Sequence, residues 1–185
     1  MHNLIEIPQK KQLNIVVPAT ILSHTELTLN QKLILGLDYT YGLKLGYNNK
    51  THKEVGELLS LHPNIVGYCR RQLVQDGFLV KDKGKYMITD EHFEFKTFDN
   101  RNIILPKKIY NNPSLTTGAK LLWGEYNSIS QGKREYFAKR EYSARRLNVS
   151  EESITNWTKI LQSNKLLIKY YHKYSYGKTQ KIIII

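Results

Sequence analysis

The chain repeats itself at an offset of 88 residues, and no gap is needed to align the two copies. The segment Asn14–Pro18 reappears as Asn102–Pro106, and Lys32–Gly36 reappears as Lys120–Gly124. Apolar positions follow the same offset: Leu59 and Leu147, Leu61 and Val149, Val66 and Ile154, Leu73 and Leu161, and Leu79-Val80 and Leu167-Ile168. A repeat this long is a domain rather than a solenoid unit, because each copy has its own predicted helices and hairpin. The sequence therefore predicts two small domains of one fold.

The repeat also sets the predicted domain boundaries. We expect an N-terminal arm over residues 1–11, a first domain over 12–90, a linker over 91–100 and a second domain over 101–185. The linker is too apolar for a free tether, because it carries Phe93, Phe95 and Phe98. We expect these phenylalanines to pack at the domain boundary and fix the relative pose of the domains, or to extend the first sheet.

In the first copy, the stretch Lys53–Val80 contains two helical apolar patterns separated by a break at Ser60–Pro63. The first pattern consists of Val55, Leu58, Leu59 and Leu61, and the second of Ile65, Val66, Cys69 and Leu73. Pro63 suits the first turn of the second helix, and Gly77 suits the left-handed position that follows it. A strand, a turn at residues 81–84 and a returning strand at 85–89 come next. This order is typical of a winged helix-turn-helix, so we expect an α+β fold with two tandem winged helix-turn-helix domains.

Local signals predict several other element boundaries. Thr28–Gln31 has the pattern of a capping box that begins a long helix. Gly42 and Gly46 predict that this helix ends near Thr40, before a short strand. In the second copy, residues 133–137 predict a short strand and Ala138–Leu147 predicts the next helix. The apolar end of the chain, residues 182–185, is expected to complete a sheet, with a dimerising edge strand as the alternative.

The second helix of each predicted pair presents polar residues outward. Winding at about 100° per residue places these residues on the outer face: Asn64, Gly67, Tyr68 and Arg71 in the first copy, and Glu152, Thr155, Asn156 and Lys159 in the second. Asn pairs with adenine, Lys reaches guanine or phosphate, and Thr can contact the methyl group of thymine. Glu152 repels phosphate, so we expect it to meet cytosine if it meets DNA. A solvated face without a ligand is the alternative, above all in the first copy.

The net charge of +12 is shared unequally between the copies. Residues 1–95 contain 11 Lys and Arg against 10 Asp and Glu, whereas residues 96–185 contain 17 against 6. A general bias towards lysine would give both copies a similar net positive charge. The asymmetry therefore predicts that the second copy faces a polyanion. The expected contacts with the phosphate backbone are Lys139, Arg140, Arg145 and Arg146, together with Lys173 and Lys178 in the second hairpin.

Several other classes of function find no support in the sequence. Cys69 is the single cysteine, and the six histidines are scattered without the spacing of a metal site. Tyr176–Thr179 resembles the end of a phosphate-binding loop, but His172 stands where the first glycine should be. We expect no enzyme activity and no cofactor. No signal peptide or membrane span is predicted at the N-terminus, so we expect a cytoplasmic protein.

The second copy resembles the winged-helix domains of plasmid and phage replication initiators and related helix-turn-helix proteins. The matching positions are Ile104-Leu-Pro106, Asn112-Pro113, Leu115, Ala119–Gly124, Val149-Ser150, Ile154, Trp157 and Leu161. The family pattern prefers Gly near Asn164 and Lys165, where this chain departs from it. The first copy shares the resemblance only through the internal repeat.

The resemblance implies sequence-specific binding of double-stranded DNA, most simply as the origin-binding initiator of a plasmid, a phage or another mobile element. Transcriptional control of a mobile element, as a repressor, is one alternative. A winged-helix adaptor that binds proteins is another, although the basic second half counts against it. The first copy is expected to occupy an adjacent half-site through Asn64, Tyr68 and Arg71, or to mediate a homodimer or a contact with the replication machinery.

Overall fold

The computed structural model describes residues 13–89, 97, 99–130, 136, 138–174 and 177–184, with side chains up to residue 168. The first copy contains β1 (Ile15–Val17), α1 (Ala19–Ser23), α2 (Leu29–Leu45), α3 (His52–Leu59), α4 (Pro63–Gln75), β2 (Leu79–Asp82) and β3 (Lys85–Ile88). The second contains β4 (Ile103–Leu105), α5 (Lys107–Tyr110), α6 (Thr117–Ser130), α7 (Arg140–Leu147), α8 (Glu151–Ser163), β5 (Leu167–Tyr174) and β6 (Gly177–Ile184). The expected α+β class is confirmed.

The repeat in the sequence is also a repeat of elements. Helices α3 and α7 have eight residues each, α4 and α8 have thirteen each, and both pairs begin and end at an offset of 88. The strands β2 and β3 form one hairpin, and β5 and β6 form a longer one. The two copies therefore differ most in the length of the hairpin that follows the second helix of each pair.

The strands β1 and β4 join the two copies in one antiparallel sheet. Val16 pairs with Ile104, which is its own equivalent in the repeat. On either side, Ile15 pairs with Leu105 and Val17 with Ile103. A strand that pairs with its own equivalent in antiparallel register places a local two-fold axis at that pair. The copies are thus arranged like the subunits of a symmetric dimer.

Two buried lysines connect the copies across this axis in the same way. Lys32 on α2 donates from Nζ to the carbonyl oxygen of Leu147 at 2.8 Å. Its equivalent, Lys120 on α6, donates to the carbonyl oxygen of Leu59 at 2.7 Å. Each carbonyl belongs to the last residue of α7 or α3, where the helix dipole favours a cation. Burial lowers the pKa of each lysine to about 8.

The turns after α3 and α7 also contact the opposite copy. Ser60 donates from Oγ to the carbonyl oxygen of Asn111 at 2.8 Å, and Asn111 donates from Nδ2 to the carbonyl oxygen of Glu57 at 2.7 Å. Asn148, the equivalent of Ser60, donates from Nδ2 to the carbonyl oxygen of Thr25 at 3.1 Å. One cluster of buried apolar side chains runs through both copies. The linker phenylalanines Phe93, Phe95 and Phe98 lie outside the described residues, and their expected packing stays a prediction.

Glycine lets the long helices approach the central sheet. A Cβ atom at Gly36 on α2 would lie 2.7 Å from Cγ2 of Val17, and one at Gly124 on α6 would lie 2.7 Å from Cδ2 of Leu105. Both distances are too short for any real side chain. The repeated glycine is thus required by the packing of α2 on β1 and of α6 on β4.

The polar interior is where the two copies differ in chemistry. In the first, Arg70 and Asp38 form a fully buried ion pair, which Asn48 completes with a 2.6 Å hydrogen bond to Asp38. Burial raises the pKa of Asp38, and the contact with Arg70 opposes that shift. In the second, the equivalent positions hold Tyr126 and Thr158, joined by a 3.0 Å hydrogen bond. One buried site is therefore ionic and its counterpart is neutral.

Some boundaries differ from those predicted. The capping box at Thr28 and Gln31 is confirmed, but α2 continues past Thr40 to Leu45 and ends at Gly46, which has φ of 78°. The expected strand after it is a single bridge between Asn48 and Tyr86. Helix α7 begins at Arg140 instead of residue 138. Of the expected strand at 133–137, Tyr136 alone is described.

Candidate nucleic-acid interface

The α3–α4 and α7–α8 joints have the same backbone geometry. Ser60 and Asn148 follow the first helix in the left-handed conformation, with φ of 54° and 53°. The next amide, of Leu61 or Val149, donates back to the carbonyl oxygen of Gly56 or Ala144 at 2.9 Å. Local caps begin the second helices: His62 Nδ1 accepts from the amide of Asn64, and Ser150 Oγ accepts from the amide of Ser153. The sequence thus specifies both joints in the same form, with different capping residues.

The outer face of α4 carries three of the four residues predicted for it. Asn64 and Arg71 are exposed, and Tyr68 is 59% exposed. The prediction that Gly67 faces outward is wrong. Gly67 is buried, and a Cβ atom there would lie 2.9 Å from Nδ1 of His52. Gly67 instead allows the start of α3 to approach α4.

One residue that was expected to be buried on α4 lies on its outer side. Ile65 was predicted for the apolar face, but it is 39% exposed. It therefore adds an apolar contact surface beside Asn64 and Tyr68. An apolar side chain at such a position could contact a thymine methyl group.

The outer face of α8 is polar and mixed in charge. Glu152, Asn156 and Lys159 are exposed, as predicted. Thr155 is half-buried, and its hydroxyl donates to the carbonyl oxygen of Glu151 at 3.0 Å. Asn156 and Lys159 occupy the positions that Tyr68 and Arg71 occupy on α4. Each copy therefore presents a hydrogen-bonding side chain and a cation one turn apart.

Three of the four basic residues predicted around α7 are accessible. Lys139 and Arg145 are exposed, and Arg140 is half-buried. Lys173 and Lys178 face each other across the β5–β6 ladder, but their side chains lie outside the described part of the chain. The placement of Lys173 and Lys178 on a phosphate backbone stays a prediction.

The prediction that Arg146 contacts phosphate is wrong. Arg146 is fully buried and donates to Oε2 of Glu125 at 3.0 Å. Its other nitrogens donate to the carbonyl oxygens of Asp99 and Arg101 at 2.6 and 2.7 Å. It anchors the chain that enters β4. The sequence analysis treated Arg146 and its exposed neighbour Arg145 alike. The repeat contained a signal that position 146 faces inward, because its equivalent in the first copy is the apolar Leu58.

The sequence also failed to single out a basic groove in the first copy, between the β2–β3 hairpin and the start of α3. We call it the hairpin groove. Its volume is about 480 Å³, and its lining includes Lys50, Thr51, His52, Lys81, Lys83 and Lys85. The alternation of lysine along residues 81–85 was visible in the sequence. It was obscured by the near-neutral total charge of the first half.

The described residues hold neither a metal site nor a membrane span. No three His, Cys, Asp or Glu side chains of the described part lie close enough together to hold a metal ion. None of the helices described combines the length and the apolar character that crossing a bilayer requires. Comparison with protein-family models and with curated proteins finds no match to this chain.

Proposed function

We propose that this chain is a sequence-specific, double-stranded DNA-binding protein built from two tandem winged helix-turn-helix domains. The observation that supports the proposal is the pair of joints with the same geometry, each followed by a thirteen-residue helix whose outer face is mostly polar. A recognition helix that enters the major groove needs such a face, with side chains that can hydrogen-bond to base edges. In this proposal α4 and α8 are the recognition helices, and the two hairpins are the wings.

The role that we propose is origin binding during replication of a plasmid, a phage or another mobile element. Support for this role comes from the resemblance of the second copy to replication initiators. A repressor would present the same recognition surface. The two roles are separated by supplying the protein in trans to a plasmid that carries its selected binding sequence. Replication of that plasmid supports the initiator, and control of a linked promoter alone supports the repressor.

Selection of bound fragments from random duplex DNA tests the binding itself. We expect one enriched sequence and an affinity that falls with salt concentration. With about five or six phosphate contacts, the slope of log affinity against log salt should be roughly −5. A protein that binds no duplex at low salt, or binds with an affinity that salt does not change, contradicts the proposal.

Base readout by α8 is tested with Asn156→Ala and Lys159→Ala. Each change should cost about 1–3 kcal/mol on the selected sequence and much less on random duplex, because a contact with a base edge is lost. Lys44→Ala is the matched control, since Lys44 is an exposed lysine at the end of α2. Equal losses on selected and random DNA would show that the two side chains contact only phosphate.

A further inference from the structure

The near-neutral charge of the first half conceals a concentrated basic surface. The hairpin groove is lined by four lysines, from the segment before α3 and from the β2–β3 hairpin. Among the described residues, no carboxylate lines it. Two exposed carboxylates stand beside the groove: Glu54, 3.7 Å from Nζ of Lys50, and Asp82, which lies between Lys81 and Lys83 in the chain. The lining itself carries four lysines, a local positive charge that the sum over the first half does not show.

Aromatic rings orient three of these lysines. Nζ of Lys85 lies 4.3 Å from the ring centre of Tyr47, and Nζ of Lys81 lies 5.6 Å from that of Tyr86. Lys50 lies 5.8 Å from the ring centre of Tyr41. A ring face attracts an ammonium group without supplying a counter-charge, so the rings do not take the place of an anionic ligand. The rings therefore favour positions of these three lysines along the groove.

The groove continues towards the outer face of α4. A second cavity, of about 220 Å³, shares His52, Lys81 and Tyr86 with the hairpin groove and also reaches Arg71. Among the residues described, no carboxylate lines this cavity either. A continuous basic path consequently leads from the hairpin to a residue of the proposed recognition helix.

A histidine in the wall of both cavities reports on their electrostatic potential. His52 is held by a 3.0 Å hydrogen bond between Nε2 and the hydroxyl of Tyr86. Burial, together with the positive charges of Arg70, Lys81 and Arg71, lowers the pKa of His52, while Asp38 opposes them. An anion in the groove would counter these positive charges and raise the pKa of His52.

We propose that the hairpin groove binds the sugar-phosphate backbone of duplex DNA, so that the first copy holds DNA directly despite its near-zero net charge. This inference rests on the proposed function, and it assigns a role to residues that the sequence did not single out. Phosphate binding beside α4 would place Asn64, Tyr68 and Arg71 against the neighbouring bases. At the offset of 88 residues, Ala138 replaces Lys50 and Arg140 replaces His52, whereas Lys169 and Lys173 stand at the positions of Lys81 and Lys85.

The test compares the full chain with the double variant Lys83→Gln/Lys85→Gln. Removing two phosphate contacts should make the salt slope less steep by roughly 2 and weaken duplex binding roughly tenfold or more at low salt. The control is Lys44→Gln/Lys107→Gln, which removes the same charge from two exposed lysines outside the groove. The control should keep the salt slope of the unmodified protein to within about one half, because it removes no phosphate contact.

A second measurement follows the ring proton signal of His52 by NMR during pH titrations. Duplex DNA should raise the pKa of His52 in the unmodified protein and in the control, but not in the groove variant. His24, which packs against Phe78, serves as the internal reference. Inorganic pyrophosphate is titrated in parallel as a small anion.

The outcomes separate the groove from the proposed function. If the unmodified protein binds duplex but the groove variant matches the control and His52 does not respond, the groove inference is overturned and DNA binding stands. If pyrophosphate raises the pKa of His52 and duplex does not, the groove is a site for small anions and the backbone assignment is overturned. If none of the proteins binds duplex DNA, the proposed function itself is contradicted.

Discussion

At the scale of single residues, the packing of Trp157 shows how the second copy diverged from the first. Trp157 replaces Cys69 of the first copy, and its larger side chain fits because Gly118 lies beside it. A Cβ atom at Gly118 would lie 2.1 Å from Cζ2 of Trp157. The equivalent of Gly118 in the first copy is Asn30. The tryptophan and the glycine are therefore coupled through their contact.

Gly118→Ala should destabilise the protein by about 1–3 kcal/mol, because the added methyl group overpacks the contact with the indole ring. The measurement is the urea midpoint of unfolding. In a Trp157→Phe background the same change should cost less, since the smaller ring lacks the atoms that the methyl group would meet. Additive effects of the two changes would contradict the proposed coupling.

At the scale of elements, helix boundaries set by a local motif were predicted, and the boundary set by tertiary contacts was not. The capping box at Thr28 and Pro63 at the first turn of α4 were readable because both act within one turn. The end of α2 was not readable, because tertiary contacts extend it. Thr40 accepts from the amide of Val16 at 2.8 Å, and the packing of α2 beside β3 carries the helix past Gly42.

Gly42→Ala should stabilise the protein by about 0.5–1 kcal/mol, because alanine favours the helix and a Cβ atom would meet Cγ1 of Ile88 at an ordinary 3.6 Å. The change also checks that α2 continues to Leu45. A destabilised variant would indicate that the helix ends before residue 42, where glycine would be needed for another conformation. The measurement is the urea midpoint of unfolding, compared with that of Gly118→Ala. Gly42 has room for a Cβ atom, whereas Gly118 does not.

At the scale of the whole molecule, the sequence showed that there are two copies but not how they meet. The offset of 88 residues was readable, since identical residues recur without gaps. The axis at Val16 and Ile104 and the crossed bonds of Lys32 and Lys120 join residues far apart in the chain, and no local pattern encodes them. The outward placement predicted on α4 and α8 is confirmed for Asn64, Tyr68, Arg71, Glu152, Asn156 and Lys159. The outward placement of Gly67 on α4 and the exposure expected of Arg146 on α7 are wrong, because periodicity alone cannot show what a neighbouring element covers.

The crossed lysines predict a stability that rises with pH above about 8. Both have a pKa lowered to about 8 in the folded protein, below the unfolded value of about 10.4. The unfolded chain therefore binds more protons between these values, and raising the pH favours folding. The gain between about pH 7.5 and pH 9.5 should be on the order of 2 kcal/mol for each lysine. Cys69 and Tyr126, whose pKa values are raised, act in the opposite direction.

Urea unfolding of Lys32→Met/Lys120→Met isolates the contribution of the lysines. The double variant should lose most of the rise with pH, whereas Lys44→Met/Lys107→Met, at two exposed sites, should retain it. The same pH dependence in all three proteins would mean that Lys32 and Lys120 are not desolvated in the folded state. The quantity compared is the slope of the free energy of unfolding against pH within each protein, so a difference in overall stability between the proteins does not affect it.

The self-paired register of β1 and β4 has an evolutionary consequence. A strand that meets its own equivalent across a two-fold axis is the arrangement that duplication and fusion of the gene of a homodimer would produce. In the homodimer, every substitution would have appeared twice, on both sides of the axis. Fusion removes that constraint, as the ionic Asp38–Arg70 pair and its neutral counterpart Tyr126–Thr158 illustrate. A fused chain can therefore change one side of the axis and keep the other, which a homodimer cannot do.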